Sequence, residues 1–204
     1  QLTSPDLTGS WKSRGDLRAH WDDHNPHLLL EKWQLSGQQT GSALPKALET
    51  LALTGEWRYE HKASRLSLER GAGQLGPLQW QGTLSALWSQ VPQVMLDLQL
   101  PLLDLAWFDR PSAAQGSNKS SQTPTEPSLA WFKGINGEGR LRIGHLKGTR
   151  LDARELNMAL QLEKGVLRLA EFSTRLYQGR VAATGMLDGT MMPARWQLAP
   201  KINQ

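Results

Sequence analysis

Cysteine is absent from the sequence, which excludes a disulfide framework, a thiolate metal site and a cysteine nucleophile. Phenylalanine and tyrosine are scarce, three and two residues, while tryptophan occurs nine times. No apolar run approaches the roughly 18 residues that a membrane-spanning helix requires, and the first residues show no signal-peptide pattern. The chain opens at Gln1 without a methionine, as expected of a piece of something longer whose anchor or export signal lies outside it. Catalytic motifs are also lacking: there is no GxSxG elbow, no HExxH helix and no Walker loop. Asp97, Asp104 and Asp109 are the only conspicuous carboxylate group, and their spacing builds no acid–base pair. The chain is therefore read as a non-enzyme with no cofactor. Aromatic and basic residues do not interleave in the manner that stacks bases, so nucleic acid is not an expected partner.

What is present is charge asymmetry and a period of two. Net charge is +4, but residues 1–128 carry a net −2 and residues 129–204 a net +6. A basic half suits anionic headgroups or is a solvated basic face. Leu51, Leu53, Gly55, Trp57 and Tyr59 alternate with Ala52, Thr54, Glu56, Arg58 and Glu60. Leu78, Trp80, Leu84, Ala86 and Trp88 fall on the apolar positions of the next run, and Val94, Leu96, Leu98 and Leu100 alternate with Met95, Asp97 and Gln99. Leu141 and Ile143 sit between Arg140 and Arg142, and Leu156, Met158, Leu160 and Leu162 follow in the same rhythm. Such alternation is the signature of half-buried strands. Gly71, Gly73, Asn136-Gly137, Lys164-Gly165, Gln178-Gly179 and Asp188-Gly189 punctuate the runs as turns.

The pattern predicts a mainly β protein, an antiparallel meander of eight to ten strands. One or two short helices are expected, at "SALPKALETL" and "PSLAWFKGI". Residues 109–128 are rich in Ser, Gln, Pro and Gly, a composition that predicts a mobile, dispensable linker. It divides an N-terminal strand region, 1–108, from a C-terminal one, 129–204. The sequon at Asn118 within it is read as accidental. A sheet with one apolar face must cover that face. Either a second sheet packs on it as a sandwich, which is the commoner solution, or the sheet curls into a trough whose floor takes apolar ligands.

Two clusters invite a chemical reading. "HWDDHNPH" brings His20, Asp22, Asp23, His24 and His27 together, but Pro26 breaks any helix that would align His20 with His24. A polar loop accounts for it better than a metal site. "KGINGEG", residues 133–139, lacks the following helix that a phosphate-cradling loop needs and is read as a turn into the next strand.

The stretch "LRLAEFSTRLYQGRVAATGMLDG", residues 167–189, together with "ARWQLAPKI", resembles the C-terminal signature of the AsmA family of Gram-negative envelope proteins. Arg180 and Gly185 match that signature, and Gln178 stands where the family usually has glycine. "GEGRLRIGHLKGTRLDARELNMALQLEKGVLRL" is similar to the preceding strands, and "LLDLAWFDRP" to the family's short aromatic–proline segment. The resemblance covers residues 93–200 and is weak before them. It implies a periplasmic body behind an inner-membrane anchor and a role in outer-membrane biogenesis. That role is phospholipid homeostasis or transport between envelope membranes, or assistance to outer-membrane protein assembly through protein partners. Under it the trough becomes a lipid-handling β-groove that meets phospholipid acyl chains and envelope membranes. Its lining would be Val94, Leu96, Leu98, Leu100, Leu141, Ile143, Leu156, Met158, Leu160 and Leu162. Arg140, Arg142, Lys147 and Arg150 would meet the headgroups.

Overall fold

A computed structural model describes residues 8–21, 26–40, 48–108, 133–191 and 194–203. These form one sheet of eleven strands in sequence order: β1 (Thr8–His20), β2 (His27–Thr40), β3 (Thr50–Glu60), β4 (Arg65–Leu75), β5 (Leu78–Leu87), β6 (Gln93–Asp104), β7 (Asn136–Gly148), β8 (Leu151–Glu163), β9 (Val166–Leu176), β10 (Gly179–Asp188) and β11 (Arg195–Asn203). Extensive contacts run only between strands adjacent in sequence. Among the described residues there is a single layer, not closed into a barrel, and the sandwich alternative is set aside. No α-helix occurs among the described residues. The nearest feature is one 3-10 turn at Leu105–Phe108, with shorter turns at Leu48 and at 133–134. Of the helix expected at "SALPKALETL", residues 42–47 lie outside the described residues, and β3 has begun by Thr50. Residues 109–128 also lie outside them.

Nine of the ten pairings are antiparallel; β6 and β7 run parallel, Gln93 facing Asn136 and Asp104 facing Lys147. A parallel pair cannot be closed by a tight turn, because the chain must travel back along the strand before pairing again. Residues 105–135 make that return.

Directly opposed residues share a face, so the register can be read across the whole sheet. One row runs Leu17, Leu30, Trp57, Leu68, Leu84, Leu96, Gly139, Leu160, Leu169, Gly185 and Leu198. The next runs Ala19, Leu28, Tyr59, Leu66, Ala86, Val94, Gly137, Leu162, Leu167, Leu187 and Trp196. Neither row contains a charge over eleven strands. The opposite face carries rows such as Arg58, Ser67, Ser85, Met95, Glu138, Gln161 and Arg168.

Register shifts bend the sheet. Lys32, Arg70 and Glu155 hold φ of 50°, 51° and 52° at bulges in β2, β4 and β8. The left-handed conformation costs a residue with a side chain about 1–2 kcal/mol. Each of these three carries a charge that pairs across to a neighbouring strand: Lys32 with Asp16 at 3.9 Å, Arg70 with Glu56, and Glu155 with Arg175 at 3.0 Å.

Candidate apolar groove

The thickest part of the apolar face centres on Leu100, Ile143 and Leu156, all buried, with Leu98, Leu141, Met158, Trp80 and Phe172 packed against them. Period-two alternation puts these residues on one side, and the pairings Leu98–Leu141–Met158–Phe172 and Leu100–Ile143–Leu156 bring them together. Six of the ten lining residues expected from the sequence therefore meet in one cluster. Leu96 lies beside it, 38% exposed. Val94, Leu160 and Leu162 continue the same face toward the other end of their strands.

Beside the cluster is a concavity of about 340 Å³ lined by Leu68, Leu78, Trp80, Gly82, Thr83, Leu84, Leu96, Leu98 and Leu100. Leu68, Leu78, Trp80 and Leu84 belong to β4 and β5, and the alternation within each run does not show that they would converge with β6. The signal that finds them is cross-strand register: Leu68 opposes Leu84, and Leu84 opposes Leu96. Nearly every wall atom is carbon, so the concavity can exclude water around a hydrocarbon but offers nothing to orient a polar substrate.

The four expected headgroup residues do not act together. Arg140 and Arg142 alternate with Leu141 and Ile143 and project from the opposite face, where Arg142 Nη2 donates to Asp97 Oδ1 at 2.6 Å. That geometry sets both on the face away from the lining residues. Lys147 and Arg150 lie at the end of the sheet, in a hollow of about 470 Å³ shared with Asp104, Asp152 and Tyr177. Neither cation makes an ion pair within 4.0 Å among the described residues. Asp152 instead meets His145 at 3.0 Å, and Tyr177 Oη donates to the Arg150 carbonyl at 2.7 Å. That phenol also locates the hairpin turn, which falls at Tyr177–Gln178, one residue before the Gln178-Gly179 expected from the sequence; Leu176 pairs with Gly179.

Of the histidine cluster, Asp22, Asp23 and His24 lie outside the described residues. His20 and His27 pair across β1 and β2 with ring centroids 5.0 Å apart. No three potential metal ligands converge among the described residues.

A one-layer sheet with an uninterrupted apolar face defines a groove-type β protein, held together by strand pairing more than by an enclosed core. The model of the AsmA family matches residues 86–204, more than half of the sequence, and the chain belongs to that family. It is similar to Protein AsmA of Escherichia coli K12, with 24% identity over 97% of this chain and 34% of that protein. The chain thus spans about a third of the length of the curated relative it matches. No solved structure matches it.

Proposed function

We propose that this chain forms part of the floor of a lipid-handling groove, holding acyl chains against its apolar face without performing a reaction on them. The observation that carries the reading is the pair of uncharged rows crossing all eleven strands beside a carbon-walled concavity. Each methylene moved from water onto such a surface contributes up to about 0.8 kcal/mol. Binding of this kind selects for hydrocarbon and tolerates many headgroups. Family membership supports a place in the cell envelope, with the chain in the periplasm and a role in outer-membrane biogenesis, through phospholipid homeostasis or transport between envelope membranes. Lys147, between Asp104 and Asp152 on the neighbouring strands, and Arg150 make no ion pair within 4.0 Å among the described residues and could meet the phosphate of a bound lipid.

A second reading rests on the edges. Among the described residues β1 and β11 each have one neighbour, and an open edge can accept a strand from a protein partner during outer-membrane protein assembly. Pro200 within β11 removes one donor from that edge, which leaves β1 the better acceptor.

The test is photocrosslinking from a reactive residue at Leu96 in the protein purified from envelopes, followed by mass spectrometry of the adducts. Adducts of phospholipid acyl chains are expected. Adducts only to protein, whether a partner or residues 109–132 of the same chain, would overturn the lipid reading.

A further inference from the structure

We infer that Gly139 is the point at which an acyl chain crosses the backbone of β7, passing from the leucine concavity to the C-terminal half of the apolar face. This rests on the acyl-chain reading above and adds a path and a residue to it.

Glycine weakens a strand, through lost backbone entropy and the missing side chain, and its presence inside one calls for a reason. Most glycines of this sheet have a reason in the fold. A Cβ on Gly82 would lie 2.0 Å from the Asp97 carbonyl oxygen, on Gly137 2.8 Å from that of Val94, on Gly144 2.7 Å from that of Pro101, and on Gly185 2.8 Å from that of Gln197. Gly139 differs. Among the described residues its added Cβ would meet only Leu160 Cβ, at 3.8 Å, an ordinary contact, and its φ is not in the left-handed region. The backbone would accept a side chain there.

The strand is an interior one, the seventh of eleven. Gly139, the fourth residue of β7, sits between Leu96 and Leu160, in the uncharged row and next to the concavity that Leu96 lines. Gly137 precedes it on the same face, so two side chains in succession are missing from the floor, a gap of about 6.6 Å along the strand. The strands that carry Leu96 and Leu160 are about 9.6 Å apart, which is the distance a chain travels in crossing β7. The gap along the strand, floored by backbone, takes one linear hydrocarbon chain lying across the strands and is narrow for a fused ring system. With Leu at 139 the row would be closed by side chains from β4 to β9.

The experiment uses cis-parinaric acid, a linear fatty acid that fluoresces only in apolar surroundings, titrated into the whole chain. Gly139→Ala and Gly139→Leu are compared with the wild type, and Gly134→Leu, outside the sheet with open space around it, serves as control. The expected result is an unchanged far-UV spectrum and an equal or higher melting temperature for both Gly139 variants. Affinity should fall at least tenfold in Gly139→Leu and less in Gly139→Ala, with Gly134→Leu at the wild-type value. A folded Gly139→Leu that binds as the wild type does would overturn the crossing while leaving the acyl-chain reading intact. Unfolding of Gly139→Ala would show that the fold itself requires the glycine, and would overturn it too. A wild type that does not bind the probe would overturn both.

Discussion

Ile143 and Leu96 share the apolar face but differ in what surrounds them: Ile143 is 4% exposed and Leu96 38%. Truncating a buried aliphatic loses both its transfer energy and its contacts. Ile143→Ala should therefore cost about 2–5 kcal/mol by urea denaturation, and Leu96→Ala less than about 1 kcal/mol, as usual where no packed core is disturbed. Equal losses would mean that the face is packed evenly and not graded from cluster to open floor. A second residue-scale expectation concerns Asp188 at the end of β10. Its carboxylate accepts from the Thr190 hydroxyl at 2.6 Å and the Thr190 amide at 2.9 Å, and these bonds, with Arg195 and Lys133 nearby, hold its pKa below the usual carboxylate value. A depressed carboxylate stabilises the fold above its unfolded pKa, and that contribution fades as pH falls through the folded value. The turn at 188–190 should stay intact at neutral pH and loosen only in acid below about pH 4, which an NMR titration of the Asp188 carboxyl would follow. Thr190→Val should return that titration toward the ordinary range.

At the scale of elements, most strands were legible because a period of two fixes which side chain faces where. The lining from Val94 to Leu100 and from Leu156 to Leu162 falls on one face as alternation demands. The same rule places Arg140 and Arg142 on the far side, since they alternate with Leu141 and Ile143; their expectation as headgroup contacts follows from the basic charge of the C-terminal half. Three features had no sequence signal. The bulges occupy Lys32, Arg70 and Glu155, where glycine or asparagine would have announced a left-handed backbone. The turn at Tyr177–Gln178 is displaced by one residue from the visible glycine. The β6–β7 pair is parallel, and strand direction is not written in hydrophobic alternation. That last feature sets a length requirement on a segment whose composition suggests none. From the end of β6 the chain must return eleven residues' worth of strand, about 36 Å. Deleting 109–128 would leave eleven residues for it, barely enough fully extended and without slack for two turns. Removing ten of these residues should leave stability nearly unchanged, whereas removing all twenty should abolish β6–β7 pairing, detected as lost amide protection along both strands. Full protection after the larger deletion would contradict the parallel register.

For the whole molecule, the apolar rows and the small number of buried residues describe a protein whose largest hydrophobic surface is on the outside of its own layer. Exposed patches of that extent bind hydrophobic dyes and favour association. Lipid-free protein should enhance 8-anilinonaphthalene-1-sulfonate fluorescence in its native state, with normal strand content, and loading with a fatty acid should suppress the signal. No enhancement by delipidated, folded protein would show that the face is already covered by residues outside those described.

Neighbour-only pairing also governs how such a sheet is assembled in time. Within β1–β6 and within β7–β11 every strand finds its partner through a short local connection, so each block can zip hairpin by hairpin, as linear repeat arrays do. The β6–β7 joint is different in kind: it closes a loop of thirty-one residues, and the entropy of that closure comes due before any hydrogen bond of the joint is formed. Two fast local phases followed by one slower docking phase are the kinetic signature of this topology. The sheet would acquire its continuous apolar track only at the last step, when the concavity beside β6 and the glycine passage on β7 first come into line.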